Sequence, residues 1–188
     1  MTIYYPITSR FYDSESFREG RKHLGLDLAM PKGTELRTIQ DGVVERVLDN
    51  VNGLGKAVYI KWQDGKVAIY GHMNEITVKT GERLKIGDTV GYSGNTGNVV
   101  GANGGYHLHF SMKDSAGNFI DPEPYAPLLQ EMNHNLLTMA DKMGLMNNPD
   151  GANMFNQAMR SFAEMLQGMD FNIIVYQLVD YTEFIKSF

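Results

Sequence analysis

Four of the five histidines in this 188-residue chain fall into three short motifs. His107 and His109 stand one residue apart in Tyr106-His107-Leu108-His109-Phe110, His72 lies in Tyr70-Gly71-His72-Met73, and His23 stands four residues before Asp27. Only His134, in Asn133-His134-Asn135, belongs to no pattern, and it reads as a solvent-facing side chain. As a β-strand, residues 106–110 put His107 and His109 on one face and Tyr106, Leu108 and Phe110 on the other. An apolar face buried in a core would hold both imidazoles toward a common point. Gathered imidazoles with one carboxylate are the donors of a metal site that has bases to spare.

The spacing His23-Leu24-Gly25-Leu26-Asp27 carries a geometric condition. In a straight strand, residues four apart lie about 13 Å from each other, too far for both side chains to reach one ion at about 2 Å. The backbone is therefore expected to bend between them, with Gly25 as the residue that permits it. Adding His109 makes two imidazoles and one carboxylate, the donor set of a catalytic zinc with an open position. With no cysteine in the chain, thiolate ligands and disulfides are excluded.

The elements that must position these residues read as β structure from residue 1 to about 127. Gly-rich turns such as Asp41-Gly42, Asn52-Gly53, Asp64-Gly65 and Gly104-Gly105 separate short apolar runs. Val43–Leu48, Lys56–Trp62 and Lys66–Tyr70 are the clearest strands, the last two flanking a hairpin turn at Gln63-Asp64-Gly65. The expected fold is mainly β: a compact antiparallel domain over 1–127 with a groove, followed by a small α-helical appendage over 128–188. In that second segment glycine thins out and eight of the twelve methionines fall between Met132 and Met169. Leu136, Met139, Ala140, Met143 and Met146, then Phe155, Ala158, Met159, Phe162 and Leu166, are spaced for one face of a helix each. These faces suit docking to another chain or self-association.

Composition narrows the function classes. A net charge of −5 with no Lys/Arg run argues against a nucleic-acid partner and against simple attraction to anionic surfaces. No apolar stretch is long enough to span a bilayer. The amino terminus lacks a basic start followed by an apolar run, so no secretory signal is expected.

His23-x-x-x-Asp27 and His107-x-His109 resemble the motifs of the lysostaphin/LytM-type zinc endopeptidases, which cut peptide bonds in peptidoglycan. The resemblance extends over roughly residues 5–127. It includes Pro6–Phe11, Asp27-x-x-x-Pro31-x-Gly33-Thr34, Asp41-Gly42-Val43-Val44, Tyr70-Gly71-His72-Met73, Lys85-x-Gly87-Asp88-x-Val90-Gly91 and Ser93-Gly94-Asn95-Thr96-Gly97. It implies that His23, Asp27 and His109 bind Zn²⁺, that His72 and His107 are the catalytic histidines, and that the substrate is a wall peptide. The alternative is a non-catalytic domain of this type that regulates or scaffolds another wall hydrolase. Delivery without a signal implies a bacteriophage virion-associated lysin whose segment 128–188 meets tail proteins, acting extracellularly at the wall. Two departures stand out: Ser111 follows Phe110 where many members have an acidic residue, and residues 97–105 are longer than the usual approach to the strand. Ser111 lies on the histidine face and is able to accept a hydrogen bond, but it would tune the metal more weakly than an acidic residue. Tyr70 and Tyr106 are open between core aromatics and donors to substrate.

Overall fold

The computed structural model describes residues 4–14, 20–51, 53–101 and 104–133. In chain order its strands are Ile7–Ser9 (β1), Leu26–Ala29 (β2), Glu35–Arg37 (β3), Gly42–Val51 (β4), Gly55–Trp62 (β5), Val67–Met73 (β6), Glu75–Ile76 (β7), Arg83–Leu84 (β8), Thr89–Tyr92 (β9), His107–Lys113 (β10) and Phe119–Ile120 (β11). A single-turn 3-10 segment, Glu123–Tyr125, leads into the short helix Ala126–Gln130 (α1). All pairings are antiparallel, as the turn-separated runs imply. The larger sheet has eight strands in the order β1-β2-β10-β6-β5-β4-β8, with β11 alongside β10. The smaller sheet has three, β3-β9-β7.

Alternation in β10 decides where everything else sits. Leu108, Phe110 and Met112 are fully buried and share one core with Leu26 and Leu28 of β2, Tyr70 of β6, Ile60 of β5, and Leu36 and Val90 of the smaller sheet. Each such side chain contributes about 1.5–3 kcal/mol by leaving water. His107 and His109 thereby point away from this core. Tyr70 stands edge-on to Phe110, ring centroids 5.1 Å apart, and its hydroxyl donates to the Arg37 carbonyl. It is a core aromatic. On the opposite face of the sheet Ala57, Tyr59, Val67 and Ile69 form a smaller cluster below the histidines.

The core also reaches past residue 127. Leu128, Leu129 and Met132 are buried in it. The Tyr5 amide donates to the Gln130 carbonyl at 2.9 Å, and Asn133 donates to the Tyr5 hydroxyl and the Glu35 carbonyl. The first turn beyond the expected domain boundary is thus cemented to the β structure. His134 and the two methionine-rich helical patterns lie outside the described residues. Among the described residues no helix is long and apolar enough to cross a membrane.

Candidate metal centre

Register brings the first two donors together. Asp27 of β2 and Gly71 of β6 both stand opposite His109 of β10, one on each side. His109 Nδ1 lies 2.8 Å from Asp27 Oδ1. His23 precedes β2 in a loop that turns at Gly25 and swings its ring back over the strand, so that His23 Nε2 lies 3.1 Å from Asp27 Oδ1 and 3.1 Å from His109 Nδ1. The bend is where the spacing demands it, but the reason for glycine is room. Gly25 has no positive φ; a Cβ there would sit 2.4 Å from the Phe110 carbonyl oxygen and 2.8 Å from the His109 ring.

Backbone carbonyls set the tautomers, because a carbonyl only accepts. His23 Nδ1 donates to the Arg10 carbonyl at 2.9 Å, with Ser9 Oγ also 2.9 Å away, which leaves Nε2 bare. His72 Nδ1 donates to the Thr96 carbonyl at 2.8 Å and His107 Nδ1 to the Gly105 carbonyl at 2.7 Å, again leaving Nε2 bare. Nε2 of His23, Nδ1 of His109 and the Asp27 carboxylate therefore converge on one point, an arrangement that a cation would bridge. Tetrahedral ligands at 2.0–2.1 Å from zinc would be about 3.3 Å apart, close to the observed separations. Among the described residues these three form the group able to hold a metal.

His72 reaches the site through an irregularity. Between the pairs Lys56↔Met73 and Val58↔Tyr70, β6 has two residues where β5 has one. The extra residue is accommodated with His72 at φ 59°, a left-handed conformation that histidine adopts sparingly. The bulge re-aims the side chain toward β10, and the His72 and His107 rings come within 4.6 Å of each other. The His72 amide donates to the Leu54 carbonyl at the tip of the β4–β5 hairpin. Thr96 holds the arrangement from the other side: its hydroxyl donates to the Met73 carbonyl and accepts from the Lys56 amide.

Burial shapes the charges. Burial alone would raise the Asp27 carboxyl, yet the His109 and His23 rings beside it hold it below the usual carboxylate range. Burial, reinforced by the nearby His107 and His109, pushes His72 down to about 4, so it is neutral at pH 7. His109 is also lowered by burial, against the pull of Asp27.

The five side chains open onto a groove of about 1020 Å³. One wall is the loop carrying Arg21 to Leu24; the other is made of Gly97 to Val100 and the Gly53-Leu54 hairpin tip. Gly55 and Gly97 lock this second wall, since a Cβ on either would lie 2.3 Å from backbone of the facing segment. Tyr106 packs on Gly104 and does not line the groove. Ser111 lies on the histidine face, and its buried Oγ has no hydrogen-bond partner among the described residues. Thr96, and the carbonyls of Arg10 and Gly105, escaped the sequence reading. Their contribution is through backbone or loop contacts that no side-chain pattern announces.

Comparison with known proteins places residues 21–122 in Peptidase family M23. Over 117 residues the chain is 34% identical to the peptidoglycan DD-endopeptidase ShyA of Vibrio cholerae, an alignment covering 57% of this chain and 26% of that protein. The chain thus spans about a quarter of the length of such curated relatives. Among solved structures, the catalytic domain of the prophage-encoded M23 protein EnpA from Enterococcus faecalis aligns with a TM-score of 0.55 and 31% identity, over 63% of this chain and 89% of that domain. A zinc-containing peptidase from Vibrio cholerae aligns with a TM-score of 0.55 and 30% identity, over 63% of this chain and 36% of that one.

Proposed function

The chain belongs to Peptidase family M23, and from that membership we propose that it is a zinc-dependent endopeptidase hydrolysing peptide bonds in bacterial peptidoglycan. The observation that carries the reading is the convergence of His23 Nε2, Asp27 Oδ1 and His109 Nδ1 beside two further histidines in an open groove. In it, His23, Asp27 and His109 hold the metal, a reading supported by similarity to a zinc-containing peptidase. When bound, zinc supplies Lewis acidity toward the scissile carbonyl and a lowered pKa for water.

His72 and His107 do the proton work. Each faces the groove with a bare Nε2 and a Nδ1–H fixed by a carbonyl, so each can accept a proton there without turning its ring. A proton taken by one disfavours a second on its neighbour 4.6 Å away. The protonated ring becomes a donor to the oxyanion and then to the leaving amine, while the other remains an acceptor. A non-catalytic regulatory role would require neither the metal-binding triad nor this oriented pair.

Similarity to a prophage-encoded protein supports reading the chain as a virion-associated lysin that opens the wall locally. Residues beyond 133 would then dock to a tail protein or to a second copy, a role suited to their methionine-rich helical pattern. Digestion of purified walls of several cross-bridge types, with mass spectrometry of the new amino termini, tests the activity. New termini that depend on added zinc are expected; none with any wall would overturn the reading.

A further inference from the structure

The three side chains that converge on the metal position are not held equally. Asp27 and His109 stand opposite each other in the β2–β10 ladder, so backbone pairing fixes both. His23 lies in the loop before β2 and is placed by no ladder. Instead, residues 9–13 hold it at every polar group except Nε2. The Tyr12 amide donates to the His23 carbonyl at 2.8 Å, and the His23 amide donates to the Asp13 carbonyl at 3.1 Å. Nδ1 donates to the Arg10 carbonyl at 2.9 Å, an acceptor it shares with the Asp13 amide at 3.1 Å. All of these partners are backbone groups. Among the described residues the one side chain bonded to His23 Nδ1 is that of Ser9, whose Oγ lies 2.9 Å away and is buried with the ring.

Ser9 reaches this position through a change of face. Ile7 of β1 stands opposite Leu28 and packs on the core, whereas Ser9 stands opposite Asp27. Between those pairs β1 advances two residues while β2 advances one. In regular pairing Ser9, two residues after Ile7, would share its core face. The bulge turns Ser9 to the other face, the one that carries Asp27 and His109. Ser9 therefore stands opposite Asp27 in the ladder and bonds His23 through its hydroxyl. It fixes the two ends of His23-x-x-x-Asp27 relative to each other.

We infer that Ser9 is a positioning residue for the metal. Its Oγ accepts from His23 Nδ1–H beside the Arg10 carbonyl, and two acceptors set the plane of the ring where one would set only its tautomer. Nε2 is thereby kept toward Asp27 Oδ1 and His109 Nδ1, each 3.1 Å away. An outer hydrogen bond of this kind changes metal affinity by about 10–100-fold. The Arg10 carbonyl remains when the hydroxyl is removed, so the lower end of that range applies. The inference rests on the zinc endopeptidase reading and deepens it.

The test measures zinc affinity of the full chain by competition with a chelator, with the His23 Nδ1–H proton resonance as a second readout. Ser9→Ala should bind zinc about tenfold more weakly, and its Nδ1–H proton should exchange faster with water in the zinc-loaded protein. Ser9→Thr keeps the hydroxyl and should restore both properties. Ser9→Val, of the same shape as threonine, should restore neither. Unchanged zinc affinity in Ser9→Ala would overturn the inference and leave the endopeptidase reading intact. A loss as large in Ser9→Thr as in Ser9→Val would assign the effect to packing and overturn the role of the hydroxyl. An unsubstituted chain that binds no zinc would remove the zinc endopeptidase reading, and the inference with it.

Discussion

The two halves of the site are held by different means. His109 and Asp27 face each other across the β2–β10 ladder, and His23 is brought in by a loop whose glycine is pressed against β10. His72 and His107 each hang from one backbone carbonyl, those of Thr96 and Gly105, in the segment that forms the far wall of the groove. Asp27, His109, His72 and His107 all stand on strands of the larger sheet, and His23 on the loop before β2. The proton-transfer pair differs in that carbonyls of the loop before β10 fix both of its rings. Such a division lets the wall vary with substrate while the metal geometry stays fixed.

The largest expected effect that separates the halves is on turnover. His72→Ala and His107→Ala should keep the fold yet lose on the order of a hundredfold or more in kcat, as removal of an acid/base group does. Steady-state kinetics on wall peptides check this, and near-normal turnover in either variant would reduce that histidine to a structural part. Glycine substitutions divide the halves next. Gly25→Ala drives a Cβ into the Phe110 carbonyl and the His109 ring, so a destabilisation of about 1–3 kcal/mol with weaker metal binding is expected. At Gly71 the obstacle is the tip of the Leu54 side chain at 2.9 Å, which can rotate away, and Gly71→Ala should cost less than about 1 kcal/mol. Denaturant midpoints of the two variants decide it; equal losses would mean both halves are equally rigid.

Acid provides a gentler probe. His72 is lowered from 6.5 to about 4, so between these values the unfolded chain binds the proton and the folded one does not. Its contribution to stability is complete above pH 6.5 and is lost as pH falls toward 4. Between pH 7 and 5, metal-stripped protein should lose up to about 2 kcal/mol more than His72→Gln does. Equal acid sensitivity would show that His72 is not buried in neutral form. The smallest effect is expected from Thr96→Val, which removes the hydroxyl that joins the Met73 carbonyl and the Lys56 amide. A loss of about tenfold in kcat with unchanged zinc content is expected, the worth of one such link, and a loss of zinc would place Thr96 in the wrong half.

How much of this was legible in the sequence follows the same division. Alternation around Leu108 and Phe110 disclosed the face of β10, and the four-residue step from His23 to Asp27 required a bend, because both depend on local periodicity and reach. The reason for Gly25 was not legible: it lies in the approach of Phe110 and His109, more than eighty residues away in sequence. Nor was the bulge that turns His72, since two residues opposing one is a property of the pairing with β5. Ser111 was legible as a residue of the histidine face, but the burial of its Oγ without a partner among the described residues was not. Leu128, Leu129 and Met132 resembled the start of a separate helical unit because their core partners, such as Tyr5 and Leu36, are distant in the chain.

Metal content, measured side by side in four variants, tests the division most directly. Purified protein should hold about one zinc per chain. His72→Ala and His107→Ala should hold the same amount, whereas Asp27→Ala and His109→Ala should hold essentially none. Full zinc in either of the latter two would contradict the assignment of His23, Asp27 and His109 as the metal-binding half.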